Sequence, residues 1–479
     1  MNRVGVFLGK YVIPEEREYY QVRNPADTSE VVGEFPLMMR EDVKRAMEEA
    51  EKGFQSWSNM LPVQRANVLY RAANLIESRA SQMAELLTRE EGKTLQDSMF
   101  EVTRTVNLLR FYAGLITSKT GKVIPSQDPR TTLLTFREPL GVVGVITPWN
   151  FPLSLPAWKI VPALATGNSV VWKPASITPA VGTEFVKALY DAGLPEGVLN
   201  TVLGPGSTVG DEMTSSKFDA LTFTGSLEVG REVARKMGGK FVRLQLELGG
   251  KNATILSRKG KLSLAIEHVV RAAFGLTGQA CTATSRFLVP RELHDEVVTK
   301  LVERTKRLTV GNGLTKGVDV GPLASREQYE KVLSYIKVGK EEGAKLVLGG
   351  EPIKEHERGY FVQPTIFDQV TPEMRIAREE IFGPVLSVMT YEGMDQAIEI
   401  VNGTEYGLVA EIVTDDITEA VEFSRNAKVG VVKVNKPTTG LEPWVPYGGV
   451  KGSGNDVYKE MGEEALDFFT RYKAVYVGY

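Results

Sequence analysis

The chain has 479 residues, of which 42% are hydrophobic and 24% charged, close to ordinary globular usage. This length exceeds the size at which one hydrophobic core stops growing, so we expect two or more domains. The 57 basic and 60 acidic residues give a formal net charge of −3 and are interleaved along the chain, which argues against a nucleic-acid partner.

Two apolar segments do not have the pattern of a targeting or membrane segment. The short run 4–8 is followed by Lys10 and a charged stretch, so it does not form a signal-peptide core. The longest hydrophobic region, 153–172, contains Lys159 and two prolines, which argues against a membrane span. We therefore expect a cytoplasmic protein with no membrane partner.

The cysteine and histidine content limits the chemistry. One cysteine, Cys281, allows no intramolecular disulfide, and with the scattered His268, His294 and His356 it cannot build a Cys/His zinc cluster. None of these histidines lies in a glycine-rich or otherwise site-like context, which disfavours a histidine-based triad. We expect no metal, and attention turns to Cys281.

The apolar pattern predicts a helical layer followed by a parallel sheet. From residue 40 to about 114, apolar residues recur at three- and four-residue spacing among charges, which is typical of helices. Short apolar runs separated by helix-length segments then predict strands at 141–146, 168–172, 198–203, 220–223 and 242–246. Such βαβ units place ligands at the carboxyl ends of the strands.

A second block of helices and strands, from about residue 250 to 446, contains Cys281. Residues 466–479 alternate between apolar and polar like an edge strand, and an unpaired edge usually finds a partner. We expect two domains with a cleft between them, plus a strand for contacts between subunits.

Cys281 lies in a run of small and polar residues, 275–284, between a helical pattern at 264–274 and a strand pattern at 286–290. Small neighbours leave a thiol open to attack. A single cysteine is nevertheless more often an inert buried residue than a nucleophile, so its surroundings alone do not decide between the two interpretations.

Glu247 ends a predicted strand and precedes two glycines. It suits a general base in a cleft. Two other interpretations compete: a solvated charge at a strand end, and a carboxylate that binds ribose hydroxyls about 20 residues after a glycine turn. The 22-residue separation from Gly225 favours the ribose interpretation.

Several turns carry weaker signals. The Asn150 amide could stabilise an oxyanion, although a turn asparagine is the more common role. Lys173 could bind sugar hydroxyls, and the turn at Gly225 and Ser226 could present backbone N–H groups to a pyrophosphate. Neither this turn nor the turn at 204–210 is a standard G-x-G-x-x-G.

Taken together, these motifs resemble the aldehyde dehydrogenase superfamily over nearly the whole chain. The matching stretches, in the family's order, are 147–152 (TPWNFP), 172–175 (WKPA), 223–226 (FTGS), 247–251 (ELGGK), 278–281 (GQAC), 379–384 (EEIFGP) and 446–454 (PYGGVKGSG). The resemblance implies that Cys281 is the nucleophile, that Glu247 is the general base, and that Asn150 with the Cys281 backbone N–H binds the oxyanion.

The resemblance also implies a dinucleotide site formed by Thr147, Trp149, Lys173, Ser176, Gly206, Gly225, Ser226, Leu248, Glu380 and Phe382. It implies an α/β fold with a Rossmann-like dinucleotide-binding domain (1–120 and 139–249), a catalytic domain (250–447) and a small β oligomerisation segment (121–138 and 464–479). Family members usually pair this segment into homodimers or homotetramers.

The implied reaction adds the Cys281 thiolate to an aldehyde, transfers hydride to a nicotinamide and hydrolyses the resulting thioester with water activated by Glu247. Relatives that pass the acyl group to coenzyme A generally lack the base at Glu247, which argues against thiolysis. A non-catalytic relative is disfavoured by the intact set of Cys281, Glu247 and Asn150.

Substrate and cofactor preference follow from finer resemblances. The stretches 154–159, with Trp158, and 435–440 resemble members that oxidise 2-oxoglutarate semialdehyde (2,5-dioxopentanoate); glyceraldehyde and succinate semialdehyde are close rivals. Arg104 and Arg110 are candidate partners for the substrate carboxylate. Ser176 stands where NAD-preferring members commonly have glutamate, so we expect NADP to be used at least as well as NAD.

Overall fold

Five parallel strands form the first sheet of the computed structural model, which describes residues 3–354 and 357–479. His356, considered above, lies outside the described residues. The strands are β7 (Val142–Ile146), β8 (Ser169–Lys173), β9 (Leu199–Thr201), β10 (Ala220–Thr224) and β11 (Arg243–Glu247), in the order β11-β10-β7-β8-β9. All five predicted strands are confirmed, with each end within two residues of its predicted position.

Helices cover this sheet, which is why its strands are apolar along most of their length. The predicted helical layer is confirmed as α1 (Arg40–Ser58), α2 (Pro62–Ser78), α3 (Ala80–Glu91) and α4 (Leu95–Leu115). In α1, Val43, Ala46, Ala50 and Trp57 are fully buried, at the spacing that places side chains on one helix face. The crossover helices are α5 (Ser154–Ala165), α6 (Ala180–Asp191), α7 (Asp211–Ser215) and α8 (Leu227–Met237).

Because the strands are parallel, β7, β8, β10 and β11 end at the same edge of the sheet, where the motifs at 147–152, 172–175, 223–226 and 247–251 begin. The region 153–172, which we predicted not to span a membrane, forms α5, a turn and part of β8. Among the described residues, no helix is both long and apolar enough to cross a membrane.

The second block contains a seven-stranded sheet. Its order is β14-β15-β16-β13-β12-β18-β19, and all of its neighbours are parallel except β14 and β15. The strands are β12 (Asn252–Leu256), β13 (Thr284–Pro290), β14 (Lys345–Leu348), β15 (Thr365–Asp368), β16 (Val385–Tyr391), β18 (Val409–Val413) and β19 (Val431–Val434). The helices are α9 (Leu262–Phe274), α10 (His294–Thr305), α11 (Arg326–Glu341), α12 (Arg375–Arg378), α13 (Met394–Asn402) and α14 (Ile417–Asn426).

A three-stranded antiparallel sheet has the order β21-β6-β5, from β5 (Gly121–Ile124), β6 (Thr131–Pro139) and β21 (Thr470–Gly478). The predicted C-terminal edge strand is confirmed from Thr470 onward. The prediction is wrong for residues 466–469, which belong to α15 (Ala465–Phe469), where both phenylalanines are buried. The remaining strands form pairs: β1 (Val6–Leu8) with β2 (Lys10–Val12), β3 (Tyr19–Asn24) with β4 (Asp27–Pro36), and β17 (Tyr406–Gly407) with β20 (Val450–Lys451).

Candidate active site

Cys281 lies where two cavities meet. It follows α9 and a short 3₁₀ turn, Gly275–Gly278, and precedes β13. One cavity, of about 240 Å³, is lined by Cys281 with α4 and α5 residues, and the other, of about 150 Å³, is lined by Cys281 with the turns that follow β7, β10 and β11. A group on the sulfur therefore faces both spaces, an arrangement that an inert buried cysteine does not need.

The Cys281 thiol is held in a low-polarity environment. Burial raises its pKa to about 12, and a hydrogen bond with the Tyr447 hydroxyl, at 3.3 Å from Sγ, opposes that shift. The Tyr447 ring is buried and meets the Trp158 ring edge to face, with 5.5 Å between centroids. Formation of the thiolate is therefore favoured by a hydrogen-bond donor close to the sulfur.

Glu247 supplies a carboxylate on the first-sheet side of this site. It ends β11 and is 4% exposed, and the Gly449 N–H donates to its Oε2 at 3.2 Å. Burial, and then the negative charge of Glu460, raise the pKa of Glu247 well above its ordinary value, while Lys159 opposes the shift. A raised pKa suits a base that takes a proton near neutral pH.

Lys159 and Glu460 form an ion pair whose side chains are both buried. Lys159 also donates to the Thr222 hydroxyl at 2.8 Å, and Thr222 donates to Gln245 at 2.8 Å. The second carboxylate oxygen of Glu460, Oε2, has no hydrogen-bond partner among the described residues. The pair thus sets the charge environment of Glu247 from inside the protein.

Asn150 lines the second cavity and is 3% exposed. Its Nδ2 donates to the Gln279 carbonyl at 3.0 Å, two residues before Cys281, and its backbone carbonyl accepts from Lys93 Nζ at 2.6 Å. Lys93 is itself held by Glu101 at 2.8 Å. An amide has two N–H donors, so one remains for a second acceptor.

The first cavity combines apolar walls with a buried cation. Phe100, Phe151 and Leu155 contribute apolar surface. Arg104 is 9% exposed, and its guanidinium carbon lies 5.1 Å from the centre of the Trp158 ring. Its Nε and Nη2 are buried and have no hydrogen-bond partner among the described residues. A buried guanidinium with free donors is a site for a carboxylate.

Arg110 lies outside this cavity. It is on the solvent side of α4, where it forms hydrogen bonds of 3.0 and 2.6 Å to Glu77 and one of 3.1 Å to Asn74. Arg104 and Arg110 are six residues apart, which places their side chains roughly 240° apart around a helix. Of the two candidates, only Arg104 lies with Cys281.

The second cavity brings together six of the predicted dinucleotide residues: Trp149, Gly225, Ser226, Leu248, Glu380 and Phe382. Glu380 accepts from the Gly250 N–H at 2.8 Å. Phe382 has a positive φ of 59° and meets Trp149 edge to face, with 5.5 Å between centroids. Holding a phenylalanine in this backbone region costs energy, so the surroundings must fix it there.

The remaining predicted dinucleotide residues lie along the same sheet edge but do not line either cavity. Lys173 ends β8; its Nζ contacts the Pro174 carbonyl at 3.3 Å, and burial lowers its pKa to about 8. The Ser176 hydroxyl donates to the Gly204 carbonyl at 2.9 Å. Gly206 opens a π-helical turn and has open space around it. Thr147 is buried and accepts from the Trp172 indole at 2.9 Å.

The sequence profile of the aldehyde dehydrogenase family matches residues 11–475 of this chain. The chain belongs to the aldehyde dehydrogenase family. The 2,5-dioxopentanoate dehydrogenase of Saccharolobus solfataricus is 49% identical over 473 residues, covering 98% of both chains. The alpha-ketoglutaric semialdehyde dehydrogenase of Bacillus subtilis is 42% identical, covering 98% of this chain and 96% of that one.

Solved aldehyde dehydrogenases have the same fold. The betaine aldehyde dehydrogenase of Staphylococcus aureus in complex with NAD⁺ superposes with a TM-score of 0.95 at 33% identity, covering 99% of this chain and 94% of that one. The NAD⁺ complex of an aldehyde dehydrogenase from Bacillus cereus gives 0.95 at 36% identity, covering 100% and 97%. The predicted aldehyde dehydrogenase fold is confirmed, and the protein is an oxidoreductase that acts on aldehydes with a nicotinamide dinucleotide.

The lining of the second cavity suits one part of such a dinucleotide. A Cβ on Gly249 would lie 2.3 Å from Glu380 Oε2, so glycine is needed for this carboxylate to reach the cavity. The Thr224 hydroxyl is buried and has no partner among the described residues, although the cavity passes beside it. Ser226 caps the N-terminus of α8, whose first N–H groups suit a negatively charged group.

Three residues of the site were not predicted from the sequence: Tyr447, Lys159 and Glu460. Tyr447 is a single residue of the 446–454 motif with no role assigned from the sequence, and its partner Cys281 is 166 residues away in the chain. Lys159 enters the sequence analysis as a charge that argues against a membrane span and as the last residue of the stretch 154–159, without a role of its own, and its partner Glu460 is 301 residues away. No local pattern in a single sequence signals such pairs.

Proposed function

We propose that this aldehyde dehydrogenase oxidises 2-oxoglutarate semialdehyde (2,5-dioxopentanoate) to the dicarboxylic acid, with NADP or NAD as acceptor. The observation that carries the proposal is the buried Arg104, which lines the same cavity as Cys281 and whose Nε and Nη2 have no hydrogen-bond partner among the described residues. An unpaired buried cation is costly unless a ligand supplies the countercharge. A semialdehyde with a terminal carboxylate supplies it, while its aldehyde reaches the sulfur.

Cys281 is the nucleophile in this proposal. Its thiol proton passes to solvent water, the sulfur forms a bond to the aldehyde carbon, and the π electrons of the carbonyl move to oxygen. The free N–H of Asn150 and the Cys281 backbone N–H stabilise that oxyanion. Asn150 suits this role because Gln279 and Lys93 already fix its side chain and backbone.

When bound, the dinucleotide supplies the acceptor for the hydride that the thiohemiacetal carbon loses, which leaves a thioester on Cys281. Trp149, Gly225, Ser226, Leu248, Glu380 and Phe382 would hold its nicotinamide half, and Thr147, Lys173, Ser176 and Gly206 the adenosine half. Glu247 then takes a proton from water, the hydroxide attacks the thioester carbon, and the acid leaves as the thiolate reforms.

The names of two relatives support 2,5-dioxopentanoate as the substrate. The Saccharolobus solfataricus and Bacillus subtilis proteins are named for the same semialdehyde. Arg104 disfavours glyceraldehyde, which has no carboxylate, more than succinate semialdehyde, which has one. Trp158 would form the cavity wall beside the guanidinium.

Glu247 favours hydrolysis over transfer to coenzyme A. The family's reactive groups are all present, which disfavours a non-catalytic role.

We also propose that the enzyme uses NADP at least as well as NAD. Ser176 places no negative charge near the ribose position, and Lys173 contributes a cation within the same turn region. A 2′-phosphate therefore meets attraction rather than repulsion. Because the Ser176 hydroxyl already donates to Gly204, the absence of a carboxylate carries this argument, not hydrogen bonding by the serine.

The three larger sheets support the proposed division of the chain. The five-stranded sheet falls in the dinucleotide domain (1–120 and 139–249), the seven-stranded sheet in the catalytic domain (250–447), and nearly all of the three-stranded sheet in the oligomerisation segment (121–138 and 464–479). β21 and β5 are free edges that carry exposed apolar side chains, among them Val123, Tyr472 and Tyr476. We propose a homodimer or homotetramer. A cytoplasmic location stays a prediction from the N-terminal sequence.

The test is the formation of reduced dinucleotide with a panel of aldehydes. 2,5-Dioxopentanoate should give the highest kcat/KM, succinate semialdehyde a lower one, and glyceraldehyde and pentanal the lowest. Equal kcat/KM values for 2,5-dioxopentanoate and pentanal, which share a five-carbon chain, would contradict the proposal.

A further inference from the structure

The Tyr447 hydroxyl is the hydrogen-bond partner of Cys281 Sγ, and no other is found in 3–354 and 357–479. The protein holds it there from two sides. The Tyr447 N–H donates to the Glu460 carbonyl at 2.6 Å, and the Glu460 N–H donates back at 2.7 Å. The ring packs against Trp158 and is 3% exposed. The hydroxyl is therefore fixed at the sulfur by backbone pairing and ring packing.

The direction of this hydrogen bond depends on the protonation of the sulfur. While Cys281 is a thiol, either atom can donate. Once it is a thiolate it can only accept, so the phenol must donate. A hydrogen bond to an ionised acceptor is roughly twice as strong as a neutral one. The contact therefore stabilises the thiolate more than the thiol.

We propose that Tyr447 is a catalytic residue that stabilises the Cys281 thiolate by donating its hydroxyl hydrogen to Sγ. The inference rests on the proposed function, in which Cys281 is the nucleophile. The thiol proton passes to solvent water, the sulfur lone pair forms the bond to the aldehyde carbon, and the carbonyl π pair moves to oxygen. Tyr447 keeps its own proton throughout.

The surroundings keep Tyr447 protonated for this role. Burial and the neighbouring Cys281 and Glu247 raise the pKa of the phenol well above its ordinary value, so it remains a donor. The thiol faces other charges as well. Glu380, Glu247 and Glu460 each raise the pKa of Cys281, and the negative charge of Cys281 raises the pKa of the Arg104 guanidinium. Tyr447 is the group in direct contact that opposes the three carboxylates.

The chain allows a clean test because Cys281 is its only cysteine, so alkylation by iodoacetamide reports on this thiol alone. In Tyr447→Phe, the pKa of the thiol should rise by about one unit, so the alkylation rate measured at any fixed pH below that pKa should fall about tenfold. The acid limb of kcat/KM should move in the same direction. Tyr458→Phe is the control, since its ring packs on Phe468 and its hydroxyl has no partner at the thiol.

A second measurement does not depend on how Tyr447→Phe folds. Growth on 3-fluorotyrosine makes every phenol a stronger donor without changing ring shape, and alkylation of the otherwise unaltered chain should then be faster at low pH. Alkylation profiles that coincide with the wild type in both experiments would overturn the inference. Such a result leaves the proposed function intact if Cys281→Ser is inactive; an active Cys281→Ser would instead overturn the proposed function.

Discussion

Lys159 and Glu460 are paired inside the protein, and their charges act in opposite directions on Glu247. Glu460 raises the pKa of Glu247, and Lys159 lowers it. The pKa of the base in the proposed reaction is thus set by two residues that form no hydrogen bond with it in the described part of the chain.

Glu460→Gln should shift the pH dependence of turnover. Removing the negative charge stabilises the Glu247 carboxylate, and the unpaired Lys159 adds to that effect, so the pKa of Glu247 falls. Because the base acts when deprotonated, the acid limb of kcat should move to lower pH. The measurement is kcat against pH with saturating aldehyde and dinucleotide. A limb that stays in place or moves to higher pH would refute this electrostatic link.

Cys281→Ala should remove dehydrogenase activity and leave dinucleotide binding within a few-fold of wild type. The sulfur is needed for the covalent step, whereas the other residues that line the second cavity are unchanged. Rates of reduced dinucleotide formation and a binding titration give the two readouts. Substantial turnover in this variant would rule out the covalent mechanism.

Glu247→Gln should separate the two halves of the reaction. The first half should still give a burst of reduced dinucleotide, while steady turnover falls roughly 100-fold or more because the general base for hydrolysis is lost. Stopped-flow absorbance shows both phases. If the affinity for the dinucleotide collapsed instead, Glu247 would be a ribose ligand, the alternative that its distance from Gly225 favours.

Arg104→Gln should weaken the use of charged aldehydes only. Loss of a charged hydrogen-bonding partner should lower kcat/KM for 2,5-dioxopentanoate roughly 10- to 100-fold and leave that for pentanal nearly unchanged. Arg110→Gln is the matched control, because it removes the same charge from the same helix outside the cavity. Equal losses for both aldehydes in Arg104→Gln would show that Arg104 only supports the fold.

Ser176→Glu should shift preference from NADP toward NAD by roughly tenfold or more, since a carboxylate would repel the 2′-phosphate. Ser176→Ala should keep the wild-type preference, because it adds no charge. The comparison is kcat/KM for both cofactors at saturating aldehyde. A wild-type kcat/KM for NAD far above that for NADP would contradict the assignment before any variant is made.

The sequence predicts the first sheet well because its strands are short apolar runs bounded by polar turns, a local signal. The sequence does not distinguish Arg104 from Arg110 as the residue that lines the cavity. Which face of α4 points to the cavity depends on how the helix packs against the rest of the protein. The number of residues between Gly225 and Glu247 alone predicts that Glu247 binds ribose. Only the family resemblance assigns Glu247 as the general base. Residues 466–469 have an alternating pattern but form a helical turn, since packing of Phe468 and Phe469 outweighs it.

The most direct measurement is to trap the covalent intermediate. Glu247→Gln is mixed with 2,5-dioxopentanoate and NADP⁺, quenched in acid within the burst, and analysed by intact mass and peptide mapping. The proposed mechanism predicts one acyl group per chain, on the peptide that contains Cys281, and one reduced dinucleotide for each acyl group. Reduced dinucleotide without an acyl group, or an acyl group on any other residue, would contradict it.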